Sequence, residues 1–217
     1  ELQRLCTANI KNELGRTTYT QMLNKDGGIE ADLTVACLDK EYFRIISSAA
    51  LRERDKHHIL KHLDPKVEFK DVTESYACLG VFGPKSRSLM TDIAGDYFKT
   101  MDFPFATAQN IQINNIQIWA QRLSYVGELG WELYIPTKKA KEIYKIIVNK
   151  GKKYNLCNAG VHAMDTLRME KGYLHWGHDI SPEENQYEAN LDFAISFKKK
   201  VNFIGKDILL KKKNQNV

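Results

Sequence analysis

Residues 19–35 read YTQMLNKDGGIEADLTV, and this stretch decides how the first part of the chain folds. The pair Gly27-Gly28 predicts a tight turn, because glycine adopts positive φ without steric cost. The apolar, β-branched residues that follow predict a strand over residues 33–38. Asp32 stands at the start of that strand, and if it faces inward its carboxylate must be hydrogen-bonded, paired or protonated. The residues alone also allow a plain turn-capping aspartate.

Strand and helix patterns alternate along the rest of the chain. Apolar runs predict strands at residues 42–47, 76–82, 111–113, 116–123 and 131–135, and helical periodicity predicts helices at residues 47–62, 85–94, from 137 onward and 158–171. From residue 76 the order strand, helix, hairpin, strand, helix predicts an α+β unit of the split βαβ, ferredoxin-like type.

The composition excludes several classes of protein. The chain has 217 residues, enough for one large domain or two small ones, and 43% hydrophobic with 27% charged residues is an ordinary globular mix. No stretch approaches the roughly 20 apolar residues of a membrane helix, so we expect no membrane partner. Four cysteines without a C-x-x-C pair predict neither a disulfide framework nor a zinc site. They favour a reducing compartment, for which we expect the cytoplasm.

The net charge of +5 comes from local runs of lysine rather than from a generally basic composition. These runs occupy residues 138–139, 150–153, 198–200 and 211–213. A solvated face or tail explains them, although attraction of an anionic ligand is the alternative. Aromatic residues are not interleaved as on a stacking platform, so we expect no nucleic-acid partner.

A second informative stretch, YVGELGWELY, occupies residues 125–134. Strand alternation predicts that Glu132 shares a face with Gly130 and Tyr134, while Trp131 and Leu133 take the other face. A carboxylate there can accept two parallel hydrogen bonds from a flat N–C–N donor edge, which an arginine or a pterin offers. A surface glutamate in a hairpin is the alternative.

The remaining histidines do not predict a metal site. His57, His58 and His62 have helical spacing but lack a further ligand at matching spacing, and His175 and His178 fit a hydrogen-bonding loop better than a pair of ligands. The chain has no G-x-G-x-x-G after a strand, so we expect no Rossmann-type binding of FAD or NAD.

Together these stretches resemble the aminomethyltransferase (glycine-cleavage T-protein) superfamily, above all the folate-binding region of dimethylglycine and sarcosine dehydrogenases. The similarity rests on Y-T-x-M-L-N-x-x-G-G-I-x-x-D-L at residues 19–33 and on Y-x-G-E-x-G-x-E at residues 125–132. It continues with L-R-M-E-K-G-Y and G-H-D-I within residues 167–180 and ends with F-I-G-K at residues 203–206. The matching motifs span nearly the whole chain.

The resemblance implies an α+β fold with three lobes around a central tetrahydrofolate. Residues 1–70 would form a partial first lobe, residues 71–155 the ferredoxin-like second lobe, and residues 156–217 a return to the first lobe with a lysine-rich tail. The C-terminal barrel lobe would be missing from this sequence. Because the chain begins at Glu1 in the middle of the pattern, we expect it to be part of a longer protein.

The resemblance also implies roles for four residues. Asp32 matches the catalytic aspartate, Tyr19 and Tyr125 match residues that line the folate pocket, and Glu132 matches the carboxylate that grips the pterin edge. A one-carbon unit from a methylated glycine would reach the folate and give 5,10-methylenetetrahydrofolate. FAD would be bound only by a flavin domain outside this chain, and no metal is implied.

Two departures from the family pattern limit these roles. Met164 stands where the glycine-cleavage enzymes carry a folate-binding arginine, a feature shared with the methylglycine dehydrogenases. Lys171-Gly172-Tyr173 lacks the cysteine of the folate-binding iron–sulfur maintenance proteins, which argues against that branch. The rival hypothesis is a non-catalytic module of the same superfamily, which binds folate without transfer or is a remnant that no longer binds it.

Overall fold

The computed structural model describes residues 1–11, 13–99 and 101–213. The chain divides into two compact units. The first unit comprises Glu1–Lys70 together with the residues from Leu174 onward, and the second comprises Asp71–Tyr173. The assignment of sequence ranges to lobes of a folate-binding fold stays a prediction.

The first unit is built on a three-stranded antiparallel sheet with strand order β1-β2-β3. Its elements are the short helix α1 (Leu2–Leu5), the strands β1 (Thr17–Leu23), β2 (Ile29–Asp39) and β3 (Tyr42–Ser47), and the helix α2 (Arg52–His62). β1 was not predicted as a strand, and β2 begins four residues before the predicted start.

The turn between β1 and β2 forms as the glycine pair predicts. The Asn24 side-chain oxygen accepts hydrogen bonds from the backbone N–H groups of Asp26 and Gly28, at 3.0 and 2.9 Å. Gly27 adopts φ +85°, which favours glycine. Gly28 has ordinary φ, but a Cβ there would overlap the carbonyl oxygen of Pro182. The turn therefore needs both glycines, for different reasons.

The two faces of β2 have different surroundings. Ala31, Leu33 and Val35 are buried and pack with Ile59 of α2 in one hydrophobic cluster. Because side chains alternate along a strand, Asp32 faces away from this cluster. α2 begins at Arg52, later than the predicted start at residue 47, because β3 runs to Ser47.

The second unit pairs a four-stranded sheet with helices. Its strand order is β4-β7-β6-β5, with antiparallel pairing between each pair of neighbours. The elements are β4 (Tyr76–Phe82), α3 (Ser86–Ala94), β5 (Ala108–Ile113), β6 (Ile116–Gln121), β7 (Gly130–Pro136), α4 (Ala140–Gly151) and α5 (Val161–Glu170). The last described element, α6 (Lys206–Lys213), belongs to the first unit.

The predicted alternation in β7 is confirmed. Trp131 and Leu133 are fully buried and share a hydrophobic cluster with Ile143 and Ile147, two residues of the apolar face of α4. The hairpin between β5 and β6 turns through Asn114 and Asn115 at φ 48° and 62°, as the asparagine pair predicts. The other face of the sheet carries Glu132, Gln121 and Tyr134 together with the buried ring of Trp119.

The helix α5 is shorter than predicted at its start. Gly160 is extended, with φ −83° and ψ 171°, and serves as the N-cap, so residues 158–160 lie outside the helix. At the other end Gly172 adopts φ 70° just beyond the last turn, as predicted for a C-terminal glycine. Within the described ranges no helix is long and apolar enough to cross a membrane.

Candidate functional site

Asp32 lies within β2 rather than in the preceding turn. Its partner across the strand pair is Gln21 of β1. The side-chain amide of Gln21 donates to Asp32 Oδ1 at 2.7 Å. The turn is capped by Asn24 instead, so the turn-capping interpretation of Asp32 does not hold.

Burial raises the pKa of Asp32, and hydrogen bonds from Tyr19 and Gln21 oppose this effect. A raised pKa makes an ionised carboxylate a better proton acceptor than an ordinary surface aspartate. Asp32 therefore combines a fixed position with a raised pKa.

Tyr19 contributes an aromatic surface beside Asp32. Its ring stacks on that of Phe193, with centroids 6.2 Å apart and an interplanar angle of 21°. Both rings reach solvent, with exposed fractions of 37% for Tyr19 and 74% for Phe193. The Tyr19–Phe193 pair therefore leaves aromatic surface exposed beside a partly buried carboxylate.

Glu132 lies in the middle of β7, opposite Gly80 of β4 and Gln121 of β6. It is flanked by strands on both sides and is not a surface residue of a hairpin. Its Oε2 accepts hydrogen bonds from the Tyr134 hydroxyl at 2.7 Å and from the Gln121 amide at 3.3 Å. Among the residues that the structure describes, none donates to Oε1.

Burial raises the pKa of Glu132, and the bonds from Tyr134 and Gln121 oppose the rise. Burial also raises the pKa of the Tyr134 phenol, and the charge of Glu132 adds to that effect. Tyr134 thus keeps its proton and acts as a donor. Both side-chain contacts of the carboxylate therefore fall on Oε2.

Tyr125 lies in the loop before β7, where its ring stacks on Tyr173 with centroids 6.4 Å apart. Both residues belong to the second unit. Gly127 in the same loop adopts φ 68°, and the side chain of Lys171 occupies the space where a Cβ would lie. The loop conformation therefore depends on glycine at this position.

The segment over residues 165–179 is held in place by hydrogen bonds. Arg168 is buried and bonds to Asp165 Oδ1 through Nε and Nη2, each at 2.7 Å, and to the Tyr173 carbonyl at 3.0 Å. Asp165 is the acid that pairs with Arg168. His178 Nδ1 lies 2.9 Å from Asp179 Oδ1. In the described ranges no three His, Cys, Asp or Glu side chains cluster as metal ligands would.

Each unit therefore assembles its own predicted residues. Tyr19 and Asp32 lie together in the first unit, and Glu132 and Tyr125 belong to the second. Sequence reasoning missed the neighbours that orient the two carboxylates, namely Gln21 and Gln121. The hairpin register around the glycine turn could have indicated Gln21, had β1 been recognised as a strand.

The two antiparallel sheets and their helices define an aminomethyltransferase-type fold. A solved structure, the glycine cleavage system aminomethyltransferase T from Bartonella henselae, superposes with a TM-score of 0.82 at 22% identity. The superposition covers 99% of this chain and 57% of that one.

The family described as GCVT N-terminal domain matches residues 1–199. The chain belongs to this family.

Its relatives include two kinds of enzyme. Mitochondrial sarcosine dehydrogenase from Mus musculus is 33% identical over 96% of this chain and 24% of its own length. An aminomethyltransferase from Halothermothrix orenii is 32% identical over all of this chain and 60% of its own length. The chain thus spans between a quarter and three fifths of the length of these relatives.

Proposed function

We propose that this chain is the tetrahydrofolate-binding, one-carbon transferring region of a dimethylglycine or sarcosine dehydrogenase-like protein. The observation that carries the proposal is the Asp32 carboxylate, which is partly buried, raised in pKa and held by Gln21 within a chain of this family. The product would be 5,10-methylenetetrahydrofolate. Relatives named sarcosine dehydrogenase, dimethylglycine dehydrogenase and 4-methylaminobutanoate oxidase (formaldehyde-forming) support a methylated amine as the one-carbon source.

Each unit, taken by itself, offers groups of the kind that the proposed ligand would need. Glu132 offers Oε1 as an acceptor for the pterin N–H edge, and Oε2 is already occupied by Tyr134 and Gln121. The exposed ring of Tyr19 and the partly exposed ring of Tyr125 supply flat surfaces for stacking. Two parallel hydrogen bonds from the pterin edge, one to each oxygen, would require the 3.3 Å hydrogen bond from Gln121 to Oε2 to break. We therefore assign the main pterin hydrogen bond to Oε1.

Tetrahydrofolate would supply the nucleophilic nitrogens for the one-carbon unit. Asp32 would stabilise a cationic iminium donor through its charge and accept the proton that the attacking folate nitrogen loses as the new C–N bond forms. That proton would then pass to the donor nitrogen as its own C–N bond breaks and the demethylated amine leaves. The bond from Gln21 would hold the carboxylate in place during this transfer. Binding both reactants beside one carboxylate would contribute rate through proximity.

Oxidation of the methylated amine would take place on FAD in a further domain of the longer protein. The described cysteines are free thiols, which fits a reducing compartment such as the cytoplasm. Folate and a methylated-glycine-derived donor are the small-molecule partners of this proposal.

The test is Asp32→Asn in the full-length protein, supplied with sarcosine or dimethylglycine and tetrahydrofolate. Amine oxidation and folate affinity should stay at the level of the unsubstituted protein. The one-carbon unit should then leave as free formaldehyde, with formation of 5,10-methylenetetrahydrofolate reduced about 100-fold or more, within the usual range for a general base. Mass spectrometry of the folate products gives this partition. Unchanged transfer would contradict the catalytic role and favour a folate-binding module without chemistry.

A further inference from the structure

A row of buried side-chain amides leads away from Asp32 inside the first unit. Gln21 Nε2 donates to Asp32 Oδ1 at 2.7 Å, and Gln186 Nε2 donates to Gln21 Oε1 at 2.6 Å. Gln186 Nε2 also donates to the Thr7 hydroxyl at 3.1 Å. Gln21, Gln186 and Thr7 have no solvent exposure. Bulk water therefore does not compete for the hydrogen bonds between these side chains.

The chemistry of Asp32 fixes the direction of both amides. An ionised carboxylate only accepts hydrogen bonds, so Gln21 must present its NH₂ group to Asp32. Its carbonyl oxygen then points to Gln186, which must present its own NH₂ group in return. A reversed Gln186 would set two carbonyl oxygens against each other. Each amide therefore determines the orientation of the next.

The backbone around Gln186 is itself held in place. The Asn185 side-chain oxygen accepts from the backbone N–H of Tyr187 at 2.9 Å, and Leu191 N–H donates to the Gln186 carbonyl at 2.7 Å. Two residues earlier, the Glu184 carbonyl accepts from Ile29 N–H at 2.9 Å, which ties the segment to the start of β2. Gln186 is thus a fixed donor rather than a mobile side chain.

We propose that Gln21 and Gln186 are positioning residues that form a two-amide relay, in which Gln186 orients Gln21 and Gln21 orients the Asp32 carboxylate. Gln186 makes no contact with Asp32 in this arrangement and acts through Gln21. The catalytic value of the relay rests on the proposed function. The relay itself does not, because its effect on Asp32 can be measured without substrate.

Burial raises the pKa of Asp32, and the hydrogen bonds from Tyr19 and Gln21 lower it. The buried carboxyl of Asp55 is the acidic group that senses the charge of Asp32, which helps to raise the pKa of Asp55. A donor removed from an ionised carboxylate destabilises the charged form and raises its pKa. The relay therefore predicts that a substitution at Gln186 changes the pKa of Asp32, although Gln186 is hydrogen-bonded to Gln21 and not to Asp32.

The experiment is carboxyl NMR titration of the chain labelled with ¹³C-aspartate, with the Asp32 signal identified by its loss in Asp32→Asn. Gln21→Met should raise the pKa of Asp32 by about one pH unit, the scale of one hydrogen bond to a charged group. Gln186→Met frees the Gln21 amide to rotate and should produce a smaller rise. Gln186→Glu places an acceptor against Gln21, turns the Gln21 amide around and should produce a rise as large as Gln21→Met.

Gln121→Met is the matched control, because it removes a buried amide donor from a different carboxylate, Glu132. It should leave the pKa of Asp32 unchanged. Since Gln186→Glu buries a charge and can unfold the protein, the neutral Gln186→Met keeps the test decisive. The relay is overturned if Gln21→Met moves the pKa of Asp32 and Gln186→Met does not, or if neither does.

The transfer assay separates this result from the proposed function. If Gln186→Met raises the pKa of Asp32 and lowers kcat for folate-dependent transfer with KM unchanged, both proposals stand. If the pKa rises and transfer is unaffected, the relay stands but contributes nothing to catalysis, and Asp32→Asn alone decides the catalytic role of Asp32.

Discussion

The Tyr134 hydroxyl donates to Glu132 Oε2 at 2.7 Å, from two positions further along the same strand. The Gln121 amide reaches the same oxygen from the neighbouring strand. These two donors leave Oε1 as the acceptor that a ligand can use. The sheet therefore presents a carboxylate whose orientation is fixed before anything binds, which lowers the ordering cost of recognition.

Removal of the Tyr134 hydroxyl should weaken folate binding. In Tyr134→Phe the pKa of Glu132 rises, because only Gln121 then opposes the effect of burial. We expect tetrahydrofolate affinity to fall about 3- to 10-fold, the value of roughly one hydrogen bond. Calorimetric titration measures the change. Tyr144→Phe, which removes an exposed hydroxyl bonded to Asn158, is the control and should bind normally. Equal affinities for both variants would contradict the role of Tyr134.

The buried Asp55 should make stability depend on pH. Burial raises its pKa to about 6, from 3.8, although Ser47 and Arg54 oppose the rise and Asp32 and Glu30 add to it. An acid with a raised folded-state pKa destabilises the fold above that pKa, and the cost disappears as the pH falls toward the unfolded-state value.

Asp55→Asn should therefore raise the free energy of unfolding at pH 7.5 by about 1–2 kcal/mol after allowance for solvent screening, and Tm should rise with it. The advantage should shrink as the pH falls through 6. Thermal unfolding at pH 7.5 and 5.0 gives the comparison, and exposed Asp102→Asn should leave Tm unchanged. Burial lowers the pKa of His58 to about 4, so His58 destabilises the fold at low pH instead. Because every protein compared contains His58, its effect cancels in the difference in stability. A constant difference at both pH values would exclude Asp55 as the cause.

Gly28 should tolerate no side chain. Its Cβ would overlap the Pro182 carbonyl oxygen, so Gly28→Ala must displace the segment that carries Gln186. We expect a loss of about 2–3 kcal/mol of unfolding free energy, as for overpacked cores. Gly160→Ala is the control, because nothing lies within 4 Å of its Cβ position and only an N-cap preference is lost. Chemical denaturation compares them, and equal losses would refute the steric explanation.

Arg168 should act on structure rather than on chemistry. Arg168→Met removes the bonds to Asp165 and to the Tyr173 carbonyl, and it should cost about 1–3 kcal/mol of unfolding free energy. Because Tyr173 stacks on Tyr125, the intrinsic fluorescence of this region should change as well. Exposed Lys141→Met is the control. An Arg168→Met protein with unaltered Tm would show that the ion pair between buried Arg168 and partly exposed Asp165 is not required for the fold.

Local patterns predicted much of the fold. Alternation identified β7 and its buried Trp131, and helical periodicity identified the apolar face of α4 with Ile143 and Ile147. Boundaries were less well predicted, since the helix over 158–171 begins only at Val161, after an extended Gly160. The pairing of β4 with β7, across more than forty residues of sequence, is a tertiary outcome that no local signal predicts.

The site was predicted in part, through the residues that match family motifs. Asp32 and Glu132 lie on the sheet faces opposite the buried side chains of Leu33 and Leu133, although their roles stay predictions. Their orienting partners depend on strand register or on distant contacts. Gln186 lies 165 residues from Gln21 in sequence, and its burial against Gln21 follows only from the folded loop. Polar residues in irregular loops carry no periodic signal, so such a contact could not be predicted.

The most direct test of the central claim is calorimetric titration of this chain with tetrahydrofolate under reducing, anaerobic conditions, beside Glu132→Gln and Glu132→Ala. The proposal predicts micromolar binding by the unsubstituted chain and a loss of about 10-fold or more, roughly 1.4 kcal/mol, in both variants. Glu132→Gln retains the shape and removes the charge, so its loss would assign the effect to the carboxylate. Binding that is equally tight in all three proteins would contradict Glu132 as the folate anchor.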